Sequence, residues 1–149
     1  MQLTDGDKSM TDILFVCTHN RCRSILCEAI ARHYLPARFR VSSAGSAPAG
    51  EIYPRTLMAL DAAGFDTTNL RSKSWDEFEE SPPRLMITVC DSAAGEICPL
   101  SFNSVRTEHW GLPDPSKIEN EAEQNALFET VIKCIKAQVP IWEQMLTGQ

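Results

Sequence analysis

Hydrophobic positions near the start of the chain take two forms. Asp12 leads into an unbroken apolar run, Ile13-Leu-Phe-Val16, which suits a short strand buried on both faces of a parallel sheet. From Ser24 to Leu35 the apolar residues recur instead at helical spacing. The segment from Cys17 to Arg23 is therefore a strand-to-helix turn. Phe39-Arg-Val-Ser-Ser43 alternates as a second strand and stops at Ala44-Gly45, and Pro54 to Ala63 reads as a helix with proline in its first turn and Gly64 as its stop.

The same alternation continues. Arg84 to Cys90 is a third strand, Ser104 to His109 a weaker fourth, and Gly111-Leu-Pro-Asp-Pro115 a turn-rich segment. From Glu121 onward Leu127, Val131, Cys134, Ile135 and Trp142 keep helical register, with Pro140 expected to kink or end the helix. Strands alternating with helices in one short domain predict a three-layer α/β/α fold around a four-stranded parallel sheet, with ligands beyond the carboxyl ends of the strands. Residues 1–11 are polar and read as a loose extension, leaving 12–149 as the domain.

A chain of 149 residues fits a single domain with a substantial core. The longest apolar run, Ile13 to Cys17, falls far short of a transmembrane helix, and the N-terminus has neither a basic nor an apolar signal region. A formal charge of −6 disfavours nucleic acid and anionic membranes as partners, so an anionic ligand needs a local positive site. The six cysteines, without a signal peptide, imply a reducing, cytoplasmic setting in which clustered thiols do chemistry. No Cys-x-x-Cys occurs, and His19, His33 and His109 lack ligand spacing, so no metal site is expected.

The chemistry concentrates in Cys17-Thr-His-Asn-Arg-Cys-Arg23-Ser24. Five residues between a cysteine and an arginine can curl so that the backbone N–H groups of Thr18, His19, Asn20, Arg21, Cys22 and Arg23 converge on a tetrahedral oxyanion. The helix start adds partial positive charge, and the Arg23 fork can grip two oxygens. The same field is expected to favour the thiolate of Cys17, with Ser24 hydrogen-bonding it and His19 tuning it. Asp114, stiffened between Pro113 and Pro115, is an ordinary turn residue by itself; beside the Cys17 loop it becomes a general acid. Cys90 and Cys98 are either two thiols that resolve a covalent intermediate or two packed cysteines. Cys22 is either a disulfide partner of Cys17 or a packing thiol, and Cys27 and Cys134 are expected to pack in the core.

The cysteine loop together with Pro113-Asp114-Pro115 resembles the low-molecular-weight protein tyrosine phosphatases over nearly the whole chain from Asp12. Thr88-Val-Cys90-Asp, Ile97-Cys98-Pro and Ser43-Ala-Gly45 are similar to the arsenate reductases built on that phosphatase fold. The resemblance implies a relay in which Cys17 attacks arsenate, Asp114 assists loss of water, Cys90 attacks the adduct and releases arsenite, and Cys98 forms the outgoing Cys90–Cys98 disulfide. No tightly bound cofactor is implied; thioredoxin or glutathione with glutaredoxin supplies electrons, and phosphate competes. His19 stands where the family often has glycine, and Cys90 and Cys98 are one residue further apart than in the best-known thioredoxin-coupled members. Ser116-Lys117 replace the tyrosines of the tyrosine phosphatases. Some relatives bind potassium beneath the loop; Asn20, Glu28 and Ser43 fit that pattern, while Lys73 replaces a carboxylate and can take the ion's place.

Overall fold

The computed structural model describes residues 11–90 and 99–148. Four strands form one parallel sheet in the order β2-β1-β3-β4: β1 is Ile13–Cys17, β2 Val41–Gly45, β3 Leu85–Thr88 and β4 Arg106–His109. Helix α1 (Arg23–Tyr34) joins β1 to β2, α2 (Pro54–Ala62) lies between β2 and β3, and α3 (Glu121–Thr147) follows β4. Single 3-10 turns occupy Trp75–Phe78, Leu100–Phe102 and Pro115–Lys117.

Every residue of β1 is buried, as the unbroken apolar run requires of a central parallel strand. It pairs with β2 on one side and β3 on the other. The chain leaves β1 through α1 to β2 and later returns to β3, which opens the switch-point crevice between the carboxyl ends of β1 and β3. Cys17 ends β1 at this crevice, and Cys90 follows β3 by two residues. At the other edge β4 is short and largely exposed, with Arg106 and Glu108 paired at 3.3 Å; a charged edge of this kind resists further strand pairing.

The sheet and helices lock through aromatic contacts. Phe15 of β1 meets Trp142 of α3 edge-on at 4.8 Å, and Trp110 meets the same indole at 5.2 Å. Trp75 and Phe102 bring two of the 3-10 turns together at 6.3 Å. Helices α1 and α3 pack against each other, and α2 touches both.

Three expectations need correction. The second strand is displaced two residues from Phe39–Ser43 to Val41–Gly45, because its partners on β1 run through Val16–Ala44 and Cys17–Gly45. Pro140 does not end α3, which runs on to Thr147 with the proline on its exposed face. Cys134 is exposed rather than packed, because the core stripe of α3 runs through Phe128, Val131, Ile132, Ile135, Val139, Trp142 and Leu146. Cys27 is fully buried in the core as expected.

Candidate active site

The turn from Cys17 to Arg23 is shaped from outside. The carbonyls of Thr18 and His19 accept the N–H groups of Ala47 and Ala49, each at 2.9 Å, and the carbonyl of Arg21 accepts that of Tyr53 at 3.1 Å. Since C=O and N–H oppose each other across a trans peptide, the N–H groups of residues 19, 20 and 22 point away from the 47–53 segment. Asn20 makes the sharpest bend, with φ of 48°. Its buried amide fixes that left-handed conformation: Nδ2 donates to Ser24 Oγ at 2.7 Å and Ser43 Oγ at 3.0 Å, and Oδ1 accepts the Lys73 N–H at 2.8 Å. Gly45 is required where β2 passes beneath the turn, because a Cβ there would lie 2.5 Å from the Thr18 carbonyl oxygen.

Beneath the turn lies a buried polar chain. Glu28 on α1 is 2% exposed and accepts a 2.5 Å hydrogen bond from Ser43 Oγ, a short contact from Arg32, and the Lys73 ammonium at 3.9 Å. Lys73 thus stands as a fixed cation beside Asn20, Glu28 and Ser43. Burial pushes its ammonium pKa down, and Glu28 pulls it back up. Through Ser43 and Asn20 this chain reaches Ser24, whose oxygen lies 2.9 Å from Cys17 Sγ. Because Asn20 donates to that oxygen, the Ser24 hydroxyl hydrogen is left to donate to the sulfur.

Burial pushes the Cys17 thiol up from its ordinary value; the Ser24 hydroxyl and the backbone N–H groups of Ser24 and Asn20 oppose it, and the neighbouring Cys90 adds to the rise. The expectation that the loop's field would favour the thiolate is therefore corrected: desolvation wins. Cys22 is a buried free thiol, pushed up to about 12 by burial and hydrogen-bonded by Thr56.

Above the turn is a cavity of about 610 Å³ lined by Cys17, Thr18, His19, Arg21, Cys22, Arg23, Ala47, Ala49, Asp114 and Lys117. Its cations supply the local positive site that an acidic protein needs to admit an anion. Arg23 is held ready at the wall: one terminal nitrogen donates to the Leu112 carbonyl at 3.2 Å and the other pairs with Asp114 Oδ2 at 3.3 Å. Asp114 caps its own 3-10 turn, its Oδ1 accepting the Ser116 N–H at 3.0 Å and the Ser116 hydroxyl at 2.7 Å. His19 is exposed at the rim, its Nδ1 3.5 Å from the Ala47 carbonyl.

Cys90 comes to the same place. The Thr18 N–H donates to Cys90 Sγ at 3.3 Å, and the Thr18 hydroxyl lies 3.6 Å from it. Cys98 lies outside the described residues, as do residues 1–10 of the segment 1–11 expected to be an extension. Among the described residues no cluster of three or more His, Cys, Asp or Glu could hold a metal ion. No described helix is long and apolar enough to cross a membrane. Sequence reasoning did not find Tyr53, the Leu112 carbonyl or Gln124, which support the turn and the Asp114 segment; no motif marks them, and only the folded chain brings them near the site.

A cysteine turn feeding a helix at the switch point of a parallel sheet, faced by an arginine and an aspartate, is an arrangement of thiol and cation whose chemistry suits an oxyanion. Residues 12–149 match the family described as low molecular weight phosphotyrosine protein phosphatase, and the chain belongs to that family. Within it the chain is similar to an arsenate reductase of Bacillus subtilis, 36% identical over 120 residues that span 80% of this chain and 85% of that one. Among solved structures it is similar to a thioredoxin-dependent arsenate reductase of Corynebacterium glutamicum, with a TM-score of 0.69, 26% identity, and coverage of 94% of this chain and 64% of that one. The tyrosine phosphatase Wzb of Escherichia coli K30, at a TM-score of 0.73 and 19% identity over 91% of this chain and 97% of that one, shares the fold.

Proposed function

We propose that the protein reduces arsenate to arsenite, with Cys17 as nucleophile and Cys90 as the thiol that takes the reaction from displacement to reduction. The observation that carries this reading is the Cys90 sulfur seated on the oxyanion turn, 3.3 Å from the Thr18 nitrogen. Phosphate-ester hydrolysis needs one nucleophilic sulfur; moving two electrons to arsenic needs a second thiol to close a disulfide. The similarity to arsenate reductases supports the same reading.

The turn's N–H groups other than that of Thr18, which donates to Cys90 Sγ, hold the oxyanion together with Arg23. Because burial favours the thiol at Cys17, a dianionic arsenate accepts that proton as it enters, leaving thiolate and arsenate monoanion. The thiolate attacks arsenic, Asp114 protonates the departing oxygen, and water leaves a Cys17 S–As(V) adduct. The Cys90 thiolate then attacks Cys17 Sγ. The S–S bond forms as the S–As bond breaks, and its electron pair stays on arsenic, so As(V) becomes As(III) and arsenite departs. Cys98 attacks Cys90, restores the Cys17 thiolate and forms the Cys90–Cys98 disulfide, which an external thiol reductant opens. Thioredoxin is the reductant this reading favours, from the likeness to the C. glutamicum protein.

Arsenite production with thioredoxin, thioredoxin reductase and NADPH is the test, run beside glutathione with glutaredoxin and beside hydrolysis of a chromogenic phosphate ester. Cys98→Ser is expected to allow one turnover of arsenate and then stall with Cys17 and Cys90 joined, while ester hydrolysis persists. Repeated turnover by that variant with thioredoxin refutes the three-cysteine relay. Ester hydrolysis by the wild type with arsenite from neither system makes the protein a phosphatase.

A further inference from the structure

We infer that Arg21 is a positioning residue for Asp114, acting through Ser116. This rests on the reading above, in which Asp114 is the acid. Within the cysteine turn, the residues between Cys17 and Arg23 need to contribute only their backbone N–H groups to an oxyanion, so the side chain at position 21 is free for another task. Its location is specific. The Arg21 guanidinium lies over the Tyr53 ring, 4.7 Å from the centroid, and one terminal nitrogen donates to Ser116 Oγ at 3.1 Å. Stacking holds a long, flexible side chain in one pose and aims its planar fork.

The chain continues to the acid. Ser116 accepts from Arg21 and passes its own hydrogen to Asp114 Oδ1 at 2.7 Å, so both hydroxyl roles are committed. Asp114 Oδ1 is thereby occupied, and Oδ2, the oxygen beside Arg23, is the one presented to the oxyanion pocket. Tyr53 is itself fixed: the buried Gln124 amide nitrogen on α3 shares its two hydrogens among the Tyr53 hydroxyl at 2.7 Å and the carbonyls of Pro115 at 3.1 Å and Ile118 at 3.3 Å. One amide thus ties the seat of Arg21 to the turn that carries Asp114. The oxyanion turn and the acid turn, 93 residues apart from Arg21 to Asp114, are registered by this bridge.

The test compares Arg21→Met, Arg21→Lys, Asp114→Asn and the R21M/D114N double variant with the wild-type chain. Two quantities are read: kcat and KM for arsenate reduction, and the concentration of inorganic phosphate that half-protects Cys17 from iodoacetate. Arg21→Met is expected to lower kcat about tenfold while KM and phosphate protection stay within about twofold, the signature of a group that acts on the chemical step alone. Lysine at 21 restores part of kcat, and Arg21→Met adds no loss in the Asp114→Asn background, because the group it positions is already gone. Phosphate protection that weakens in step with kcat makes Arg21 a direct oxyanion ligand and overturns the proposal; so does a full additional loss in the double variant. If the wild type produces no arsenite, the reductase reading fails separately. The same variants are then compared on phenyl phosphate, whose poor leaving group demands an acid, and the same pattern is required.

Discussion

Two polar networks meet at the cysteine turn, and they differ in how they treat water. The one beneath it, Lys73–Glu28–Ser43–Asn20–Ser24, consists of buried side chains and ends on the sulfur of Cys17. The one above it, Arg21–Ser116–Asp114–Arg23, stands at the wall of an open cavity. A buried network with every member satisfied rigidifies what it touches, and removing one member leaves others desolvated without a partner. A network at the cavity wall exchanges partners with an incoming anion at little cost. The lower network should therefore govern the existence of the turn and the state of the thiol, and the upper one the chemical step.

The sharpest way to break the lower side is Gly45→Ala. The added methyl would sit 2.5 Å from the Thr18 carbonyl and 3.0 Å from that of Cys17, both backbone atoms. The turn has to move, and a displacement near 1 Å costs about 10²-fold in rate. Urea denaturation should show a loss of about 1–3 kcal/mol, as for other overpacked sites. Unchanged stability together with unchanged arsenite production would show that the turn tolerates the strain.

Asp114→Asn is the matching break on the upper side. The amide oxygen can still cap Ser116, so stability should stay within about 0.5 kcal/mol while kcat falls by about 10²-fold. A fall in stability comparable to that of Gly45→Ala would erase the distinction between the two networks.

How far this division was legible in the sequence follows from which contacts are local. The strand, the turn and the helix start are contiguous, so spacing alone put Cys17, Arg23 and Ser24 in one turn, and the structure brings Asp114 and Cys90 to that turn. The supporting contacts are not contiguous. Asn20 meets residues 43 and 73, and Arg21 meets 53 and 116, through side chains that carry no motif. The thiolate expectation failed because spacing shows which dipoles point at a sulfur but not how deeply that sulfur is buried. That α3 runs on past Pro140 was not legible either, since the exposed face on which the proline lies is set by the packing of the whole helix.

Ser24→Ala tests the point where the lower network reaches the thiol. The Ser24 hydroxyl is the strongest influence opposing the burial that raises the Cys17 pKa. Without it the pKa rises further, so the rate of alkylation by iodoacetate, which increases with pH in both proteins, should shift to higher pH in the variant. At neutral pH the expected loss is about tenfold, in line with a hydrogen bond to a charged group. An unshifted alkylation profile would mean that the backbone N–H groups alone set the thiol.

The smallest effect belongs to Lys73, and its sign is the informative part. Burial lowers the Lys73 pKa in the folded chain below its unfolded value of about 10.5. Below the folded value both states carry the proton, and the native state bears the full cost of a desolvated ammonium. As pH rises through the folded pKa toward the unfolded one, the native state releases its proton first. The unfolded state then binds more protons, and stability rises with pH. Lys73→Met removes this titration, so unfolding free energy measured in urea should show a shallower alkaline rise in the variant than in the wild type. Glu28 keeps Arg32 and the Ser43 hydroxyl when the ammonium is gone, which is why the variant is expected to fold. Identical slopes would mean that Lys73 is as well solvated in the folded chain as in the unfolded one, and the lower network would then end at Glu28.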